Sequence, residues 1–197
     1  MSTSDIAFTP TVKAVQARKG SRRSYARMEQ SGGWATDIDE NLADFIAGQR
    51  SFFLATANAS GQPYIQHRGG PRGFLQVLDA HTLAFADVAG NRQYISVGNL
   101  EDNSKVHLFL IDYATRQRIK VWGTAKVVED DPALLKRLSV AGGGKPERAI
   151  LIHVTAWDAN CPQHIPMMFD AEDVQDALAV RDRRIAELEA QLARLSP

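Results

Sequence analysis

Between residues 51 and 157 the chain alternates short apolar segments with turn-forming residues, and this spacing constrains the fold more than any other feature. The segments have the length of β-strands, are rich in β-branched and aromatic residues, and are separated by Gly, Pro, Asn and Asp. Strands are predicted at 51–58, 63–69, 74–78, 82–87, 105–113, 118–129 and 148–157. No strand-helix-strand rhythm runs through this region, which argues against a parallel α/β sheet. We therefore predict a mainly β protein with flanking helices (α+β), whose six or seven antiparallel strands close into a barrel without exposed edges.

The connections between these strands predict their order. The first four strands are expected to form a meander, and the next two a long hairpin around residues 114–117. Asp37 is predicted to cap a helix whose apolar residues lie on one face before Gly48 ends the pattern. A short helix is predicted over 92–97, and Asp130-Asp131-Pro132 is typical of the first turn of another helix.

Two flanking regions differ from the barrel in composition. Residues 1–36 are polar and are predicted to form an N-terminal arm, residues 37–166 the barrel domain, and residues 171–196 a C-terminal amphipathic helix. Apolar positions in that helix follow four- and three-residue steps that form a heptad seam, in which Arg181 is the one charged member. The seam members are Val174, Leu178, Arg181, Ile185, Leu188, Leu192 and Leu195. The helix therefore either pairs with a second chain or lies on its own barrel.

Composition excludes several classes of function. A chain of 197 residues with 44% hydrophobic residues can bury a full core. Its formal net charge is zero and its one basic cluster is Arg18 to Arg23, so no nucleic-acid partner is predicted. No apolar run reaches the roughly 20 residues of a membrane span, and the N-terminus lacks the pattern of a signal peptide. Because the only cysteine is Cys161, we expect a cytoplasmic protein without an internal disulfide.

The stretch from His67 to Gly70, His-Arg-Gly-Gly, ends the second predicted strand and is followed by Pro71, Arg72 and Gly73. One interpretation is a hairpin turn with incidental charges. The other is an anion site, because arginine side chains and a helix N-terminus near Asn91 and Arg92 can converge on a phosphate. Glycines in the neighbouring strand let a flat ring approach the backbone, which favours a mononucleotide such as FMN over a simple anion.

Several motifs, taken in order, resemble a known family. The run 56–70, the strand Thr82-Leu83-Ala84-Phe85-Ala86-Asp87 with Gly90-Asn91-Arg92, and Val121-Trp122-Gly123-Thr124-Ala125 are similar to those of the pyridoxamine 5'-phosphate oxidase-like FMN-binding split barrels. The segment 156–166 also resembles a bacterial branch of that family. The resemblance extends over about residues 45–166 and implies a homodimer with FMN at the subunit interface.

The resemblance also implies which residues contact the cofactor. Arg68 corresponds to the basic residue that binds the FMN phosphate, and Asn91 and Arg92 to an Arg-Lys pair of which only Arg92 is basic here. The ring is expected along Gln66 to Gly69, and His67 either donates to the flavin edge or fills a turn. The remaining candidates are Gly69, Phe85, Ala86 and Asp87 from the motifs, Lys105 and Arg118 from the partner subunit, and Gln163 and His164 as donors to the ring.

The segment from Cys161 to His164 allows other interpretations. A metal half-site needs more ligands than one Cys and one His provide, and a nucleophile with its base is equally weakly specified by this pair. Packing in a loop bent by Pro162 and Pro166 is the simplest alternative to a loop that lines the flavin. No metal and no catalytic residue is predicted.

The expected function is that of a flavin-dependent oxidoreductase with an unknown substrate. The ending Arg194-Leu195-Ser196-Pro197 imitates the true pyridoxamine phosphate oxidases, but it ends a heptad helix and lacks their arginine and histidine, so that activity is not expected. The alternative is a carrier or sensor that binds flavin, deazaflavin or haem without turnover, with His67, His107, His153 and His164 as conceivable haem ligands.

Overall fold

The computed structural model describes residues 2–160 and 162–195, which form a seven-stranded antiparallel sheet with flanking helices. The strands are β1 Ser51–Ala57, β2 Pro63–Gly69, β3 Leu75–Asp79, β4 Thr82–Val88, β5 Lys105–Asp112, β6 Gln117–Val128 and β7 Pro146–Asn160. The helices are α1 Pro10–Lys19, α2 Arg22–Gln30, α3 Glu40–Gly48, α4 Ile95–Asp102, α5 Pro132–Leu138 and α6 Ala171–Leu195, and a 3-10 helix spans Thr3–Ile6. The mainly β, α+β fold class predicted from the sequence is confirmed.

The chain divides into two compact units. One comprises residues 2–111 and 117–160 and contains the arm and the seven strands except Asp112, the last residue of β5. The other comprises residues 112–116 and 162–195 and contains α6. In the part of the chain that is described, none of the helices combines the length and the apolar character needed to cross a bilayer.

The strand order is β2-β1-β5-β6-β7-β4-β3, so the predicted four-strand meander is wrong. The hairpins β1–β2 and β3–β4 form as expected, with Phe53 opposite His67 and Leu75 opposite Phe85. However, β5, β6 and β7 lie between the two hairpins, which leaves β2 and β3 at opposite edges. Within residues 2–160 no pairing joins these edges, so the expected closure is also wrong and the barrel is a split one.

The hydrophobic core follows from the alternation of side chains along the strands. On β1, Phe52 and Leu54 are 1% and 0% exposed, whereas Phe53 between them is 37% exposed and points to the other face. Leu108 and Leu110 on β5 and Ile150 and Ile152 on β7 repeat this pattern and are fully buried. α3 packs Leu42 and Ile46 into the same core.

Two predicted helix starts differ from the structure. α3 is capped by Asp39, whose carboxylate accepts a 2.8 Å hydrogen bond from Leu42 N, whereas the carbonyl of Asp37 accepts a bond from the indole of Trp157. α4 begins at Ile95 rather than at residue 92, because Tyr94 (φ 51°) and the residues before it are not helical. α5 begins as predicted, with Asp131 as cap and Pro132 in the first turn.

The N-terminal arm folds onto the outer side of β6 and β7 through aromatic contacts. The Trp34 ring stacks on Trp122 at 4.4 Å with an interplanar angle of 11°, and Phe8 contacts both Trp34 and Tyr25 at 5.1 Å. Trp157 N donates to the carbonyl of Ala35 at 2.8 Å, which joins the arm to the sheet. The arm predicted from polar composition is therefore a helical, packed segment.

Candidate functional site

A cavity of about 210 Å³ lies beside β2, β4 and the start of α4. Strand alternation places Tyr64, Gln66 and Arg68 on the face of β2 that lines it, because residues two apart share a face. β4 contributes Asp87 and β7 contributes Arg148. The other lining residues are Val88, residues 90–97 and Glu147.

An arginine-carboxylate cluster forms one wall of this cavity. Asp87 is 7% exposed, and its Oδ1 lies 2.5 Å from Nη1 of Arg68 while its Oδ2 lies 3.5 Å from Nη1 of Arg148. Arg148 also pairs with Glu147 and Glu129 at 3.0 and 3.2 Å. Both guanidinium groups lie near aromatic rings, that of Arg68 at 5.6 Å from Phe85 and that of Arg148 at 5.0 Å from Tyr94. Such contacts hold the planar groups in place.

The segment between β4 and α4 forms the opposite wall. Arg92 and Tyr94 have φ values of 57° and 51°, a backbone conformation that non-glycine residues seldom adopt and that is often found at functional sites. The N-terminus of α4 receives no side-chain capping bond from Tyr94, and its first residues, Ile95 to Val97, line the cavity. Ser96 at this end donates to Gln66 Oε1 at 2.8 Å, which fixes the Gln66 amide against the helix.

The charges and donors of this cavity fit a phosphate group. Arg68, Arg92 and Arg148 face Asp87 and Glu147, so the lining carries one surplus positive charge. Within the described residues, Nε of Arg68 is buried without a hydrogen-bond partner, although the guanidinium group is bound to Asp87 through Nη1. A buried unsatisfied donor next to a free helix N-terminus is an arrangement that an anion would complete.

The structure brings together five of the predicted cofactor residues and separates the others. Gln66, Arg68, Asp87, Asn91 and Arg92 all line the 210 Å³ cavity. The others lie elsewhere. His67 is on the opposite face of β2, Phe85 is in the core, and Gly69 and Ala86 lie beside another cavity of about 180 Å³. Lys105 and Arg118 are at the starts of β5 and β6, and Gln163 and His164 are in the unit that contains α6. Cys161 and the terminal Ser196-Pro197 lie outside the described residues.

The glycines after Arg68 have a structural role of their own. A Cβ on Gly70 would lie 2.8 Å from the Phe74 side chain, and Gly73 has a φ of 82° that turns the chain toward β3. The hairpin-turn interpretation therefore accounts for Gly70 and Gly73, while Arg68 on the cavity face has a separate position.

Sequence reasoning missed Arg148, which is 8% exposed at the start of an otherwise apolar strand. Its position in the site depends on the antiparallel register that pairs Asp87 with Arg148. The only local signal for this residue was an arginine directly before the apolar residues Ala149 and Ile150, because a buried arginine needs a charged partner. Tyr94 was missed because its role depends on the left-handed turn before α4.

The face of β2, β1 and β5 opposite the core is apolar and open. Phe53 pairs with His67 on β2 and with Phe109 on β5, and Ile65 on the same face is 65% exposed. His107 completes this outer face, with its ring 4.8 Å from Trp122. Burial, and secondly the charge of Lys120, lower the pKa of His107 below its usual range.

Across residues 2–160 and 162–195, no three side chains of His, Cys, Asp or Glu approach closely enough to hold a metal ion.

Comparison with known proteins identifies the class of molecule. The open antiparallel sheet defines a split barrel, and the family model described as "Pyridoxamine 5'-phosphate oxidase" matches residues 38–161, well over half of the chain. The chain belongs to the pyridoxamine 5'-phosphate oxidase-like family, as the sequence motifs indicated.

One solved structure supports the fold, and a second is reported beside it. HupZ from Group A Streptococcus is 23% identical, with a TM-score of 0.52 over 67% of this chain and 99% of that chain. A putative pyridoxamine 5'-phosphate oxidase from Lactobacillus delbrueckii is also 23% identical, with a TM-score of 0.49 over 63% of this chain and 95% of that chain. None of the curated proteins matches the chain significantly.

Proposed function

We propose that the protein is an FMN-dependent oxidoreductase whose substrate is not pyridoxamine phosphate. The observation that carries this proposal is the cluster of Arg68, Asp87 and Arg148 beside the open N-terminus of α4. Family membership supports a flavin as the ligand, and the surplus positive charge supports the phosphorylated form, FMN, over riboflavin. When bound, FMN supplies the hydride or electron chemistry.

The protein's own residues have three tasks in this proposal. Arg68 and Arg92 bind the phosphate, and Arg148 shares Asp87 with Arg68, which leaves part of the Arg68 guanidinium group available to the anion. Gln66, fixed by Ser96, presents its amide toward the ring. The outer face with Phe53 and Ile65 pairs with a second copy, which brings Lys105 and Arg118 of that copy to the cofactor. A homodimer is therefore part of the proposal.

The outer face has the properties of a protein interface. Ile65 and Phe53 are 65% and 37% exposed, and β2 is an edge strand beside them. Contiguous apolar surface of this kind is costly in water and typically marks an association site. The single cysteine supports a reducing compartment, the cytoplasm.

The absorption spectrum of the purified full-length chain tests the cofactor. We expect flavin bands at about 370 and 450 nm, and release of FMN rather than riboflavin on denaturation. A Soret band would replace the proposal with haem binding, and a single band without the 450 nm component would indicate a deazaflavin. Either spectrum would contradict the FMN assignment.

Turnover is tested with the FMN-loaded protein. We expect a nicotinamide cofactor or dithionite to reduce the bound flavin and an added acceptor to reoxidise it, with no measurable oxidation of pyridoxamine phosphate. Bound flavin that dithionite reduces but that no nicotinamide cofactor or acceptor turns over would support a carrier or sensor instead. Vigorous turnover of pyridoxamine phosphate would contradict the proposed substrate class.

A further inference from the structure

A larger cavity, of about 430 Å³ and here called the arm cavity, lies between the N-terminal arm and the outer side of β6 and β7. The arm contributes Phe8, Tyr25 and Trp34, and the sheet contributes Lys120, Trp157 and Asp158. No described residue lines both this arm cavity and the 210 Å³ cavity. The arm cavity therefore needs its own explanation.

The walls of the arm cavity are aromatic and angled toward one another. The Phe8 ring meets Tyr25 edge-on at 5.1 Å and Trp34 at 5.1 Å with a 60° tilt. Tyr25 remains 42% exposed although its neighbours are half-buried. Aromatic faces that remain partly uncovered in a concave site favour a flat ring, which can stack or meet them edge-on.

One end of the arm cavity is polar and carries two opposite charges. Lys120 Nζ lies 3.0 Å from Asp158 Oδ2, and the two side chains are 25% and 23% exposed. The same ammonium group lies 5.8 Å from the centre of the Trp34 ring and 5.5 Å from that of Trp122. These contacts keep a donor and an acceptor side by side at the edge of the aromatic walls.

The Lys120–Asp158 pair determines which polar group of a ligand can bind at this end of the cavity. A carboxylate would accept from Lys120 but face the charge of Asp158, and an ammonium group would meet the reverse conflict. An amide edge matches both groups, because its oxygen accepts from Lys120 while its N–H donates to Asp158.

Hydrogen bonds hold the arm in place. Thr3 Oγ1 donates to the carbonyl of Trp34 at 2.6 Å, and Trp157 Nε1 donates to the carbonyl of Asp37 at 2.9 Å. Gly33 has a φ of 78°, a left-handed backbone that favours glycine, and a Cβ there would lie 2.4 Å from the hydroxyl oxygen of Ser2. A wall held in this way lowers the entropic cost of binding.

We propose that the arm cavity binds a planar aromatic or heteroaromatic ring that carries a carboxamide-type edge. The ring lies among Phe8, Tyr25 and Trp34, and the amide bonds to Lys120 and Asp158. None of these residues belongs to the flavin proposal, so this proposal does not depend on it.

Three probes with the same ring test the proposal by calorimetric titration of the purified full chain, with and without added FMN. The probes are 2-naphthamide, 2-naphthoate and 2-naphthylmethylammonium. We expect the amide to bind at least about tenfold more tightly than either charged probe, which corresponds to about 1.4 kcal/mol. Equal binding of all three, or none, would overturn the proposal.

Reciprocal charge variants sharpen this test. Lys120→Met keeps the aliphatic stem and removes the positive charge beside Asp158, so the preference should move toward the ammonium probe. Asp158→Asn should move it toward the carboxylate. An apolar cavity that merely collects aromatic molecules would show neither shift, and unchanged preferences in both variants would refute the assigned polar end.

A third variant tests the walls. Tyr25→Leu should weaken all three probes together, because Tyr25 is an exposed aromatic wall whose loss leaves the core intact. Tyr113→Leu, outside the cavity, is the matched control and should change nothing. If 2-naphthamide binds only to the protein without FMN, the arm cavity is the flavin ring's own site and the proposal of a separate ligand is wrong.

Discussion

Asp87 determines how much positive charge the candidate phosphate site can offer. It is 7% exposed and accepts from Arg68 at 2.5 Å, with Arg148 at 3.5 Å on its other oxygen. Two guanidinium groups around one buried carboxylate leave part of each free to bind another anion. Removing one arginine therefore weakens the site and also leaves Asp87 less neutralised.

Replacing the arginines proposed to bind phosphate should weaken FMN binding and leave riboflavin binding unchanged. We expect Arg68→Ala and Arg92→Ala each to weaken FMN binding by about 1–3 kcal/mol, the usual worth of a charge-assisted hydrogen bond. Fluorescence titration with FMN and riboflavin measures the difference, and Lys126→Ala on the exposed side of β6 is the control. Normal FMN binding by both arginine variants would show that the phosphate lies elsewhere.

His107 should make the stability of the fold depend on pH. Burial lowers its pKa in the folded protein, whereas the unfolded chain titrates near the ordinary value of about 6.5. Just below that pH the unfolded state binds more protons than the folded state. The part of the free energy of unfolding that depends on His107 is therefore fully present above about pH 6.5 and is lost as the pH falls toward the lowered pKa.

His107→Leu should remove this part of the pH dependence. Melting temperatures of the wild type and the variant at pH 8 and pH 5.5 provide the comparison, and the fall between the two values should be smaller in the variant. His81→Leu is the matched control, because His81 lies in the turn before β4. Parallel pH profiles for the wild type and His107→Leu would contradict the assignment.

At the scale of single elements, the irregularity in β6 is fixed by one glycine. The register with β7 shifts between Trp122 and Gly123, and a Cβ on Gly123 would lie 2.3 Å from the carbonyl oxygen of His153. That oxygen belongs to the backbone of the neighbouring strand and cannot move without disturbing the sheet.

We expect Gly123→Ala to lower the free energy of unfolding by at least about 2 kcal/mol, because the new methyl group overlaps the β7 backbone. Gly98→Ala in α4 is the matched control, since a Cβ added there would have nothing within 4 Å and the helix gains about 0.5–1 kcal/mol. Urea denaturation of both variants measures the difference. A mild effect of Gly123→Ala would mean that β6 and β7 separate easily at this point.

The same local rules explain which elements the sequence predicts well. β2 was predicted with its observed ends because Pro63 starts it and Gly69 ends it, and β1 differs by one residue. The start of α4 was wrong because a left-handed turn at Tyr94 separates Arg92 from the helix, and nothing in the local residue types requires that turn. Local patterns predicted the alternation of the strands and the Asp131 cap, but they placed the cap of α3 two residues early and did not predict the unusual backbone before α4.

For the whole molecule, the sequence predicts the faces of strands better than their order. Gln66 and Arg68 were expected at the cofactor from the family resemblance, and they line one cavity because residues two apart on β2 share a face. Arg148 joins them only through the pairing of β4 with β7, which is a contact between residues about 60 apart in the chain. For the same reason the two hairpins were predicted and their separation to opposite edges was not.

The last prediction concerns α6, whose heptad seam should strengthen the proposed barrel dimer. In the unit that contains α6, the seam residues Val174, Leu178 and Leu188 are 43%, 47% and 42% exposed, and three heptads are too short to be stable alone in water. The outer face of β2, β1 and β5 offers a separate apolar surface, with Ile65 65% exposed. We therefore expect deletion after Asp170 to leave a flavin-bound dimer with a lower melting temperature, as measured by light scattering and thermal denaturation. A truncated chain that scatters as a monomer and loses its flavin would instead mean that the heptad seam makes the dimer and that the barrel face contributes little.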